Sequence, residues 1–143
     1  MCLSVPKLIT PKKDIVCYKV LKVYNDKSSV FVSEFQSFHY ELGHTYSTNK
    51  NKPKIVETVP TLCRWKIVIE GDAFHSFKTV MGAKGYCKKY GYSSSVNDYN
   101  YVIVKCVIPK ESKYIYEGDY DNSWGTGYKS YASQMIKPIE VIK

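Results

Sequence analysis

The run YVIVKCVI at residues 101–108 constrains the fold more than any other stretch, being β-branched and nearly continuous in apolar character. That is how a strand buried inside a sheet reads. Val102, Val104, Cys106 and Ile108 fall on one face, and Lys105 is the only charge on the other. We expect a central strand here. A second run, DIVCYKVLKVY at residues 14–24, alternates Cys17, Leu21 and Val23 with Val16, Tyr18 and Val20, as a strand buried on much of both faces would. The cluster Asn25-Asp26-Lys27-Ser28-Ser29 carries turn residues and Val30-Phe31-Val32 follows it, which reads as a hairpin.

Between these runs the chain changes period. Trp65, Ile67 and Ile69 alternate with Lys66, Val68 and Glu70 in a strand that leads to a Gly71-Asp72 turn signal and the short aromatic segment GDAFHSF at residues 71–77. Thr79 then stands where an N-cap belongs, and Val80, Ala83, Cys87 and Tyr90 recur at three- and four-residue steps. A helix is expected over about residues 79–90, closed by Gly91. Gly82 and Gly85 lie inside it, each costing up to about 1 kcal/mol against alanine. A helix that accepts them should lie close against a sheet.

The rest of the chain is less regular. Residues 1–13 hold Pro6, Pro11 and three lysines without periodicity, and read as a loose N-terminal arm or an early edge strand. Residues 33–46 are aromatic-rich and fit neither period, while residues 47–54 form a polar, basic loop and Val59-Pro60 a bend. After Pro109 come a turn at residues 110–113, a short strand at 114–116, an acidic glycine-containing loop at 117–127, and one or two closing strands around Pro138. The expected fold class is α+β, one domain over residues 1–143, mostly antiparallel sheet with one principal helix.

A chain of this length buries roughly two-thirds of the surface its unfolded form exposes, so it needs neither metal nor disulfides. The five cysteines, Cys2, Cys17, Cys63, Cys87 and Cys106, are scattered, and we read them as reduced core thiols of a cytoplasmic protein. No segment approaches the ~20 apolar residues of a membrane span. The net charge of +8 rests almost wholly on lysine, with Arg64 the sole arginine, so nucleic-acid binding, where it occurs, is expected to be independent of sequence.

The three histidines, His39, His44 and His75, form no zinc pattern with the cysteines. The loop DYDNSWG lacks the glycine and glutamate of a calcium loop and reads instead as a partner-contact surface or a lid, carrying Tyr120 and Trp124. No metal and no cofactor is expected. Fourteen tyrosines exceed what the core needs, because a buried phenol wants a polar partner. Tyr86, Tyr90 and Tyr92 among Lys84, Lys88 and Lys89 would make a base-stacking platform on the helix, but the favoured reading is a solvated helix face with core tyrosines.

The order of CYKVLK, YELGHTY, GDAFHSFKT and VIVKCVIP resembles small uncharacterised proteins of bacteriophages and bacteria. A more distant similarity is to ADP-ribosyltransferase-like domains, which place an aromatic strand before a helix and then a long β-branched strand. That resemblance implies an NAD-holding residue on the first strand, where this chain has Tyr18-Lys19, and a late glutamate, for which Glu117 and Glu140 are the candidates. The expected function is that of a small cytoplasmic phage or bacterial accessory protein that binds a host protein, a nucleic acid or a nucleotide without catalysis. The alternative is a nucleotide-handling, ADP-ribosyltransferase-like enzyme. The candidate binding residues are Tyr18, Lys19, His75, Ser76, Lys84, Lys88, Tyr120, Trp124 and Glu140.

Overall fold

The computed structural model describes residues 3–24, 31–33, 38–48, 54–58, 66–70, 73–90, 99–120 and 128–142. Its strands are β1 (Leu3–Leu8), β2 (Ile15–Tyr24), β3 (Phe31–Val32), β4 (His39–Tyr40), β5 (Tyr46–Ser47), β6 (Lys54–Thr58), β7 (Lys66–Glu70), β8 (Phe74–Phe77), β9 (Tyr99–Ile108), β10 (Ile115–Tyr120), β11 (Tyr128–Ser133) and β12 (Met135–Ile142), with one helix, α1 (Val80–Tyr90). The turn at 25–29, Gly71-Asp72, Gly91, Tyr92, Trp65, Val59-Pro60, Cys2, Cys63, residues 49–53 and the 121–127 part of the acidic loop, Trp124 included, lie outside the described residues.

Ten strands join one sheet in the order β1-β10-β11-β8-β2-β9-β12-β5, with β3 on β2 and β4 on β3, while β6 and β7 form a separate antiparallel pair. Every described pairing is antiparallel. As its continuous β-branched run requires, β9 is central, flanked by β2 and β12. The β2–β9 pair runs in unbroken register from Ile15↔Ile108 to Tyr24↔Tyr99. Along its other edge β2 meets β8 at Tyr18↔Phe77 and then β3 at Lys22↔Val32 and Val23↔Phe31. Residues 3–8 supply an edge strand on β10.

The sheet buries both faces in different company. On one face Cys17, Leu21, Val104, Cys106, Ile108, Ile115, Tyr131 and Ile136 pack with Phe31 and Tyr40. On the other, α1 sets Ala83 and Tyr86 on Phe77 and Ile103, with Tyr18 and Val20 packed alongside. Thr79 caps this helix as expected, its Oγ1 accepting from the Gly82 amide at 3.1 Å. The two glycines mark the close approach: a Cβ on Gly82 would stand 3.2 Å from Tyr128 Cβ, and one on Gly85 2.6 Å from Tyr128 Cζ.

Tyr86 is 5 % exposed and packs on Phe77 at 5.7 Å between ring centroids, so it belongs to the core, as the favoured reading has it. Two expectations need correction. The strand expected at 114–116 runs on through Glu117–Tyr120 within β10, since pairing with β1 and β11 on both edges overrides the poor strand propensity of EGDY. Lys54, the last residue of the expected 47–54 loop, instead opens β6, which pairs with β7. Among the described residues no helix is long and apolar enough to cross a membrane.

Candidate functional site

Alternation along β2 turns Cys17, Lys19 and Leu21 to one face, and all three are buried. A lysine at that parity is out of place, because a buried ammonium is costly unless paired. Lys19 is 8 % exposed, and among the described residues no carboxylate pairs with it. Its Nζ donates to the His75 carbonyl oxygen and lies 5.4 Å from the centroid of the Tyr40 ring. Burial lowers the pKa of Lys19, and the thiols of Cys106 and Cys17 act against that shift.

The surroundings of Lys19 are polar in a narrow row. The Tyr18↔Phe77 bridge brings the next residue of β2, Lys19, beside the preceding residue of β8, Ser76. Ser76 in turn stands opposite Tyr131, and Tyr131 opposite Glu117. Burial, with the charge of Glu117 next, pushes the Tyr131 phenol up to about 12. The Ser76 hydroxyl is buried and has no hydrogen-bond partner of ordinary geometry among the described residues. It does border the Cys17 thiol closely enough to favour a thiolate. Cys17 faces Cys106 directly across β2 and β9, and both are fully buried and free. Above Lys19, Phe38, Tyr40, Tyr46 and Phe74 form a connected ring group with centroids 4.9 to 6.3 Å apart.

Of the residues singled out from the sequence, Lys19, His75 and Ser76 come together here, His75 through its backbone. Strand alternation turns the His75 ring to the opposite face, where its Nδ1 is buried without a hydrogen bond among the described residues. Burial holds that imidazole at about 3, so it is neutral through the physiological range. Tyr18 and Glu140 share the helix side of the sheet, both level with Lys105, and Glu140 is an exposed partner of Lys105 at 3.8 Å. The sheet therefore separates Tyr18 and Glu140 from Lys19 and Ser76. Lys84 and Lys88 lie on the exposed side of α1. Tyr120 ends β10 level with Leu3 and Tyr128.

A second constellation occupies the far end of the β2–β9 ribbon. Lys22 stands opposite Tyr101 and Tyr24 opposite Tyr99, on the same face as Val20 and Ile103 but beyond the pair that α1 covers. Tyr24 and Tyr99 meet edge to face at 5.8 Å, Tyr99 and Tyr101 at 5.5 Å, and Lys22 Nζ sits 4.6 Å from the Tyr99 centroid. Tyr24 is 37 % exposed, and Lys22, Tyr99 and Tyr101 are half-buried. The signal was available in the sequence: Lys22, Tyr24, Tyr99 and Tyr101 share one parity on two strands. Helical spacing does not reveal it, because the four residues alternate along strands.

No protein-family model, curated protein or solved structure matches this chain. The functional reading therefore rests on these two constellations alone. The interior one holds groups able to exchange protons and react as nucleophiles. The surface one offers flat aromatic rings and a cation to whatever approaches from solvent.

Proposed function

We propose that this protein works by binding, without catalysis of its own, and that its partner is single-stranded nucleic acid held without regard to sequence. The observation that carries this reading is the surface group of Lys22, Tyr24, Tyr99 and Tyr101 on paired strands. Bases stack on such rings whatever their identity, since every base has a π-face, and lysines follow the phosphates. A sheet presents rings side by side on neighbouring strands, the arrangement on which sheet-borne aromatics stack bases. Support also comes from the net charge of +8 and the exposed Lys84 and Lys88 on the helix that flanks this face.

The test is fluorescence anisotropy of a labelled single-stranded oligonucleotide titrated with protein at several salt concentrations. Binding should weaken steeply with salt through released counterions. Tyr99→Ala should lose about 1–3 kcal/mol, roughly 5- to 150-fold in affinity, for one stacked base. Lys22→Gln should lower the salt slope by about 0.7. An absence of binding at low salt, or Tyr99→Ala binding as tightly as the wild type, refutes the proposal.

A further inference from the structure

We propose that Cys17 and Cys106 are a redox modification site: a dithiol that closes to a cross-strand disulfide when a peroxide reaches it. The two residues are directly opposed in the β2–β9 register, and their side chains are in contact. Opposed residues of antiparallel strands have Cα atoms about 4.5 or 5.5 Å apart, depending on the kind of pair. Both spacings fall within the roughly 4.4–6.8 Å that a disulfide spans. The Cα spacing of the pair is therefore one that a disulfide spans.

The surroundings assign the two sulfurs different roles. Burial opposes ionisation of Cys17, but the neighbouring Cys106 thiol, the Ser76 hydroxyl and the Lys19 charge together outweigh it and lower its pKa. Cys106 is pushed strongly up, chiefly because its proton is engaged by Cys17, and its Sγ also donates to the Val104 carbonyl at 3.5 Å. Cys17 shares its strand and its buried face with Lys19 and borders Ser76, so it is written as the attacking sulfur, with Cys106 resolving. The Ser76 hydroxyl gives the thiolate a donor that has no other partner among the described residues.

The reaction balances with a peroxide as oxidant. Cys17 passes its proton to the Lys19 amine, and its sulfur attacks one peroxide oxygen. The O–O bond breaks, Cys17 becomes a sulfenic acid, and the released hydroxide recovers the proton from Lys19 as water. The Cys106 sulfur then attacks the Cys17 sulfur, the S–O bond breaks, and the hydroxide leaves with the Cys106 proton as a second water. Two thiols have been oxidised, and hydrogen peroxide has been reduced by two electrons.

The test uses the reduced, folded wild-type protein treated with hydrogen peroxide, unfolded in an alkylating reagent, and mapped without reduction. We expect the loss of two titratable thiols, an intact mass before alkylation lighter by two hydrogens, and a linked peptide pair containing Cys17 and Cys106 that a dithiol reductant separates. Full alkylation of both cysteines after peroxide overturns the proposal, as does Cys17 sulfinic acid beside an alkylated Cys106. Lys19→Met should close more slowly. Each unit added to the pKa of Cys17 removes about tenfold of its thiolate and returns about threefold in nucleophilicity, so closure slows roughly threefold per unit. Equal rates in the two proteins would remove Lys19 from the mechanism.

Discussion

Lys19→Met probes the interior site through its proton linkage. Methionine keeps the length and apolar contacts of the lysine stem and removes the amine that donates to the His75 carbonyl. The folded protein holds Lys19 below its ordinary value of 10.5, chiefly by burial. Between those two values the unfolded chain binds a proton that the native site has released. Raising the pH strips it from the unfolded chain only, so this group makes stability rise with pH, by up to about 1.4 kcal/mol per unit. The contribution is complete above 10.5 and is lost as pH falls through the folded value. Cys17 is also lowered, from 9.0, burial being outweighed chiefly by the Cys106 thiol and the Ser76 hydroxyl, so it acts with the same sign in the range below 9.0 in both proteins. The methionine variant loses the first slope. Urea unfolding of both proteins at intervals from about pH 7 to about pH 10 reads the difference directly. Stability of the wild type should gain on that of the variant as pH rises, while the lost hydrogen bond offsets the curves by about 0.5–1.5 kcal/mol. Parallel curves would refute the assignment of Lys19 as a buried amine that gives up its proton on folding.

Gly85→Ala should destabilise the protein by about 1–3 kcal/mol despite its better helix propensity, because the new methyl meets the Tyr128 ring at 2.6 Å from Cζ. In thermal unfolding, Tyr128→Ala should make that substitution neutral or favourable, and an equal penalty in both backgrounds would refute the contact. Thr79→Ala removes the acceptor of the Gly82 amide and should cost about 1 kcal/mol in the same assay. The His75 imidazole, held at about 3 by burial, should show no ring titration by NMR above about pH 4. Because its folded value is depressed, this group's contribution is lost as pH falls from 6.5 toward about 3.

Much of the sheet was legible because its central strands are patterned by burial. The continuous run of β9 and the alternation of β2 each report a local environment, and Thr79 reports a helix start through its own side chain. What escaped reading depends on partners distant in sequence. The segment around Phe38, Tyr40 and Tyr46 has no period because its rings pack on one another and on Phe74. The extension of β10 is held by cross-strand partners, among them Asp119 with Lys129 at 3.0 Å. The resemblance points to Lys19 only through its place on the first long strand. The stronger signal was a lysine sharing the parity of Cys17 and Leu21 in an otherwise apolar strand.

The two proposals meet in the register of one strand pair. On β2 the residues facing the core, Cys17, Lys19 and Leu21, alternate with Tyr18, Val20, Lys22 and Tyr24 on the helix side. A slip of one residue would exchange these sets, exposing Leu21 and burying Lys22, so the apolar positions enforce the alignment that places Tyr24 against Tyr99. A bond between Cys17 and Cys106 locks that same alignment. Oxidation should therefore leave the affinity for a single-stranded oligonucleotide unchanged while stabilising the fold by about 2–4 kcal/mol through the loop it closes. Anisotropy and urea unfolding of the oxidised and reduced proteins measure both quantities. A fall in affinity on oxidation would mean that the sulfurs meet only after the strands shift, and the direct opposition of Cys17 and Cys106 would then not be what brings them together.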